Sequence, residues 1–373
     1  MSSSGSMTMM QEMREMGLDP MGDLRDLGYE FVGKKLCKVS GGDSFVFETQ
    51  DHYDALAQAV VVYVGLLLEE EAGLMPIWLP LGIGAGDGCP VYVSKGYKQA
   101  DKLLLIVPGS GRVRAGVWGC NLCITQDLDH GSMLPYLRLA AEAGYGVIVL
   151  NPNENTNDGQ RIEGSESPER HVAYVWQHVV VADCEAAIID VVAHSAGGRA
   201  LLQFLCRAGM DGASPGASGE VAASAAARIR RIVFTDSYHT RQQVGFLPPA
   251  ARELLQDASR AVNFVPHPSH LGTHVDEWDS QDYHMTSEDK GCVCLAAGTE
   301  DHASTNHLAL LAVFNFLCSG DEPDSVEGEL RRRRSAMLPL AKSPQSPPRT
   351  DRWPRASLCS FICTAKPCNS SPR

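Results

Sequence analysis

Long apolar runs are missing from this chain of 373 residues. A membrane-spanning helix needs roughly 18 or more apolar residues without charge. The longest candidate, residues 55–68, is shorter and runs into Glu69, Glu70 and Glu71. Residues 1–24 are rich in Met and Ser but lack a basic start followed by an apolar run, so they do not read as a secretory signal. Basic charge is also scarce. The formal net charge of −13 argues against electrostatic wrapping of nucleic acid by a basic face. The basic residues that exist collect late in the chain: residues 331–373 hold ten Lys/Arg against one Asp, which leaves residues 1–330 at −22. An acidic globular part and a basic tail imply different jobs for the two. Paired metal-ligand motifs are missing too. Cys120-x-x-Cys123 has no second pair at zinc-finger spacing. The 12 cysteines, without a signal, read as small buried hydrophobes of a reducing compartment. His267, His270 and His274 sit in a proline-containing loop with no evident fourth ligand, so no metal is expected there. Gly82, Gly84 and Gly86 neither follow a strand nor open a helix, so they read as loop rather than nucleotide fingerprint. No cofactor is implied.

What is present is an alternation of strands and helices. Residues 44–48 and 90–94 read as short strands, and residues 53–71 between them as a helix with an apolar stripe. Residues 103–107 form a wholly apolar run, as expected of a strand buried on both faces. A helix over 133–143 stops at Gly144, and residues 146–150 are the next strand. Ser167 followed by Pro168 marks a helix start, with Val172, Val175, Trp176 and Val179 as the apolar face. Residues 187–192 are an apolar strand, 209–227 a low-complexity Gly/Ala/Ser insert, 231–235 and 292–296 further strands, and 308–317 a final helix. This order predicts an α/β-layered domain over 25–320. Residues 1–24 read as disordered or weakly helical, and the Ser/Pro-rich, arginine-bearing segment 321–373 has a composition that does not support a core and is expected to be disordered.

The chemistry concentrates where the strand 187–192 meets a helix. Ala193-His194-Ser195-Ala196-Gly197 places a serine among small residues at a strand-to-helix turn, the pattern of a nucleophile elbow, with alanine in the first small position. In such folds the order is serine, acid, histidine, each just after a strand. Asp236 follows the strand 231–235, and His302 follows the strand 292–296. Ser195 is a poor nucleophile until a base takes its proton; His302 is placed to do so, and Asp236 to fix its tautomer. Gly109, Ser110 and Gly111, after the strand 103–107, offer backbone N–H groups to an oxyanion, with Ala196 N–H as a second donor. Asp301 is an alternative acid and His307 an alternative base, the latter on the final helix.

Several segments together resemble a known family. They are Gly109-Ser110-Gly111-Arg112-Val113-Arg114-Ala115-Gly116-Val117-Trp118, the run from Gly144 through Asn151-Pro152-Asn153-Glu154-Asn155, and Ser167-Pro168-Glu169 with Tyr174, Val175 and Trp176. The elbow, Thr235-Asp236-Ser237 and Ala297-Gly298-Thr299 with His302 complete the set. The chain resembles the Argonaute-binding-protein-two domain family, in particular its animal cotranscriptional-regulator branch, over about residues 27–317. The resemblance implies an α/β-hydrolase-like fold, a mostly parallel sheet with helices on both faces. It implies nuclear work, with a cytoplasmic pool, since fungal relatives chaperone small-RNA-loaded Argonaute in heterochromatin assembly and related domains are appended to histone deacetylases. Partners implied by the animal relatives are Argonaute, chromatin and splicing proteins, without a membrane and with nucleic-acid contact only through the basic tail. Pro108 stands where relatives and many esterases have histidine, the 155–167 segment is short where relatives carry a charged insert, and the sequence after Asp321 does not match them. Two functions are therefore expected: a nuclear adaptor that has kept a hydrolase scaffold, or an active serine hydrolase, an esterase or deacylase, using Ser195, Asp236 and His302.

Overall fold

The computed structural model describes residues 20–210, 225, 227–280 and 283–320. The expected tail 321–373 and most of the expected insert lie outside the described residues. The helix Pro20–Asp26 crosses the expected boundary at residue 25, because its Leu24 is fully buried against the main core.

The sheet has eight strands: β1 Leu74–Leu79, β2 Cys89–Ser94, β3 Lys102–Val107, β4 Tyr145–Val149, β5 Ile188–His194, β6 Ile229–Thr235, β7 Ala261–Val265 and β8 Val293–Ala296. Their spatial order is β8-β7-β6-β5-β3-β4-β2-β1. All neighbours pair in parallel except at β2, which runs antiparallel to both β1 and β4. The helices that cover it are α1 Gln50–Glu70, α2 Leu134–Glu142, α3 Pro168–Val175, α4 Ala196–Met210 and α5 Thr305–Leu317. Strand side chains alternate between faces. Leu104, Ile106, Val147 and Val192 join the core layer under α1, α2 and α5, whereas Leu103, Leu105, Ile148 and Val191 join the layer under α3 and α4. Burial on both faces is why these strands are mostly apolar, with Asp190 the buried charge within β5. The fold is α/β-hydrolase-like, with helices on both sides of a mostly parallel sheet. No helix among the described residues is long and apolar enough to cross a membrane.

Local signals account for most boundaries. Thr49 caps α1 by accepting from His52 N–H, and Ser167 caps α3 by accepting from Arg170 N–H, with Pro168 at the first helical position. Past Val175 the α3 chain continues as a π-helical turn, Trp176–Val181, that keeps Trp176 fully buried. Residues 44–48 are not the expected strand. Only Ser44 bridges to Cys37, and Val46 and Phe47 are exposed; Phe45 packs instead on Tyr29 and Tyr53. Two strands carry no clean sequence signal. β1 contains Pro76, which an edge strand tolerates because its outer N–H positions need no partner. β7 contains Asn263, fully buried, whose side-chain Oδ1 accepts from Ser237 N–H.

Candidate functional site

β5 ends at His194 and α4 starts at Ala196, so one residue makes the turn. That residue, Ser195, has φ +53°, a left-handed conformation costing a non-glycine residue roughly 1–2 kcal/mol. The turn is held from both sides: Ser195 N–H donates to Thr235 O at 3.0 Å, and Ser195 O accepts from Tyr238 N–H at 3.0 Å. Close approach explains the small neighbours. A Cβ on Gly197 would lie 2.4 Å from Pro108 O, and one on Gly198 would lie 2.0 Å from Ser237 Oγ. The elbow is thus wedged between β3 and the end of β6.

Asp236 follows β6 directly, also in a left-handed conformation, φ +44°, with its N–H given to Phe264 O at 2.7 Å. Its carboxylate, almost fully buried, meets His302 Nδ1 at 2.5 Å. His302 comes from the loop between β8 and α5. Its ring stacks on His194 (centroids 4.9 Å apart, 25° between planes) and on Tyr238 (5.2 Å, 20°). His194 follows Val192 and Ala193 into the interior, and burial pushes its pKa down to about 3, with His302 as a smaller contributor. Its Nδ1–H donates to Thr235 O at 2.8 Å. Ser195, Asp236 and His302 therefore lie at one pole of the sheet. The Asp236–His302 bond leaves His302 Nε2 as the proton acceptor, while no hydrogen bond joins Ser195 Oγ to His302 among the described residues. Such bonds are often long in empty sites and tighten on binding.

The alternatives weighed from sequence are engaged elsewhere. The Asp301 carboxylate accepts from the N–H and hydroxyl of Ser304 and caps the approach to α5. His307 donates through Nδ1 to Asp129 O at 3.0 Å and stacks on His130 at 3.6 Å. The Gly109 backbone abuts the serine: a Cβ there would lie 3.0 Å from Ser195 Cβ and 3.2 Å from His194 Cδ2. Ser110 and Gly111, the latter at φ +111°, are exposed beyond it. Ala196 opens α4, where backbone N–H groups have no partner within the helix. Among the described residues no cluster of three or more His, Cys, Asp or Glu is gathered to hold a metal; His274 pairs with Asp276 at 3.4 Å instead.

Sequence reasoning passed over three contributors. Tyr238 stacks on the His302 ring. Lys290 is buried in a polar segment that reads as surface, donating to Ser237 O at 2.6 Å and His239 O at 3.0 Å. Burial lowers its pKa, and the nearby Asp236 charge opposes that shift. Asn153 hydrogen-bonds Gly109 O and Val113 O at 2.7 and 3.2 Å. The polar residues at 153 and 290 look in sequence like ordinary loop and surface positions; only the alternating Asn151, Asn153 and Asn155 hint at built turn chemistry.

The family model of the Arb2 domain matches residues 22–161 and 154–268. The FAM172 family protein homolog Y75B8A.31 of Caenorhabditis elegans is 31% identical over 331 residues, covering 87% of this chain and 96% of that protein. The human cotranscriptional regulator ARB2A is 26% identical over 372 residues, 82% of each chain. The mouse cotranscriptional regulator ARB2A is 27% identical over 370 residues, 81% of each. Among solved structures, a histone deacetylase from Saccharomyces cerevisiae aligns at 13% identity with TM-score 0.44, over 72% of this chain and 99% of that one. Carboxyl esterase 2 of Tuber melanosporum aligns at 12% identity with TM-score 0.33, over 70% and 84%. The sequence matches, extending across the elbow and the Asp236 turn, lead to one statement: the chain belongs to the Arb2 domain family.

Proposed function

We propose that this protein is a nuclear cotranscriptional regulator, an adaptor built on a serine-hydrolase-like scaffold, with Argonaute, chromatin or splicing proteins as partners and a cytoplasmic pool. The observation that carries this reading is the match to proteins named cotranscriptional regulators over about four-fifths of both chains. Any direct contact with nucleic acid falls to the basic segment 331–373. The test is recovery of the full chain from nuclear extract, wild type beside Ser195→Ala, with identification of bound proteins. Both forms are expected to retain the same Argonaute, chromatin or splicing partners. Absence of all three classes from the wild type overturns the reading, and loss of partners in a folded Ser195→Ala protein overturns the separation of adaptor work from the serine.

A second reading is favoured by one observation, the pairing of half-buried His302 with buried Asp236 beside a serine on a strained turn. It is an active serine hydrolase acting on a small ester or an acyl-modified protein. Ser195 is the nucleophile, His302 the base, Asp236 its orienting acid, and Gly109, Ser110, Gly111 and Ala196 supply the oxyanion donors. The two readings are compatible, because a fold hosts several functions. Labelling by a fluorophosphonate probe separates them. A working nucleophile labels in the wild type and loses on the order of 10³-fold or more in rate in both Ser195→Ala and His302→Ala; a well-folded wild type that does not label refutes hydrolysis.

A further inference from the structure

The loop 109–113 meets Ser195 at Gly109. Gly109 is buried against the serine, while Ser110, Gly111 and Arg112 are exposed. The ion pair from the outer side, Arg112 to Asp54, joins an arginine side chain that is 72% exposed, and such pairs contribute little in water. The inner side is held differently. Asn153 Nδ2 donates to Gly109 O at 2.7 Å and to Val113 O at 3.2 Å. A side-chain amide nitrogen carries two hydrogens, so one group closes both ends of the loop at once.

The base from which Asn153 reaches is itself tied down. Asn151 is buried; its side chain donates to Glu154 Oε2 at 2.7 Å and accepts from Ala115 N–H at 3.2 Å. Asn151 N–H donates to His171 Nε2 at 3.0 Å. Asn155 donates to Pro152 O and Ser165 O. The carbonyl and N–H of a trans peptide point to opposite sides. With Gly109 O turned to Asn153, the Ser110 N–H is turned away from the 151–155 loop.

We propose that Asn153 is a positioning residue: by bracketing Gly109 and Val113 it sets the Gly109–Ser110 peptide, and so the oxyanion wall, against Ser195. The consequence for Ser195 chemistry rests on the serine-hydrolase reading, whereas the bracket itself does not. Asn153→Asp keeps the shape and removes both donors; Asn153→Ala removes the group altogether. The experiment measures amide hydrogen exchange of the full chain in segments 107–115 and 191–198, with fluorophosphonate labelling of the same samples. Exchange in 109–113 is expected to quicken about tenfold in both variants, the size of effect of losing one or two hydrogen bonds, while 191–198 stays as in the wild type. Labelling falls by a similar factor. Unchanged exchange in 109–113 in Asn153→Asp overturns the bracket. Faster exchange with undiminished labelling overturns its role for Ser195. A wild type that does not label, with exchange still responding to both variants, refutes the hydrolase reading and leaves the bracket supported.

Discussion

Three histidines, His171, His194 and His239, are buried and held neutral, each with its pKa pushed down to about 3 by burial. Hydrogen bonds fix the tautomers. His171 Nε2 accepts from Asn151 N–H and its Nδ1 meets Ser165 Oγ at 2.9 Å. His239 meets Lys290 O through Nε2 and Ser237 Oγ through Nδ1. An unfolded histidine takes up its proton near pH 6.5. The folded state refuses that proton until about pH 3, so stability is fully present above about 6.5 and is lost as pH falls toward 3. Each histidine contributes up to about 1.4 kcal/mol per pH unit in that window. Urea unfolding at pH 7, 6 and 5 is expected to show a falling midpoint, and His239→Gln to flatten the slope by about a third. An unchanged midpoint from pH 7 to 5 would refute the assignment. The residue scale is also where sequence reasoning was strongest and weakest. Ser195 stood out because small residues crowd the turn. Lys290 did not, because a lysine in a polar segment gives no sign that its neighbours will bury it.

Between elements, the sheet is pinned by a polar knot at one end. Arg230 on β6 grips the fully buried Asp190 on β5 through Nε at 3.1 Å and Nη2 at 2.5 Å. Tyr145 on β4 donates to Asp190 at 2.6 Å, and Arg230 reaches Leu317 O at the end of α5. Removing one partner of a buried pair strands the other charge, at a cost of about 3–5 kcal/mol. Asp190→Ala is therefore expected to lose that much in equilibrium urea unfolding, and Asp190→Ala with Arg230→Met to lose clearly less than the single change. A loss below about 1 kcal/mol for the single variant would show the knot to be dispensable. The strands that this knot joins are those whose apolar runs announced them. β1 and β7 escaped notice because Pro76 and Asn263 interrupt their runs, and each is allowed by its setting: an edge for Pro76, a partner on Ser237 for Asn263.

At the scale of the whole molecule, one sheet serves two core layers. Leu104 and Leu105 are neighbours in β3 and face opposite layers, both buried. Each leucine shortened to alanine is expected to cost about 2–5 kcal/mol, with near- and far-ultraviolet circular dichroism changing in a single transition, since neither layer persists without the sheet. Separate transitions in either variant would show that the layers unfold independently. The sequence by itself determined the features written within about ten residues: the apolar runs of β3 to β6, the cap at Ser167, the small residues around Ser195, and the order of serine, acid and histidine along the chain. The family was readable for the same reason, because its motifs are short and contiguous. Tertiary structure decided the rest. It placed β5 between β3 and β6, brought His302 to Asp236 across 66 residues, engaged Asp301 and His307 with other partners, stacked His302 on His194 and Tyr238, and turned Asn153 onto the loop beside Ser195. Local patterning is governed by backbone sterics and side-chain periodicity, which neighbours in sequence settle. Which buried polar group meets which depends on strand order and loop closure, which only the packed chain settles.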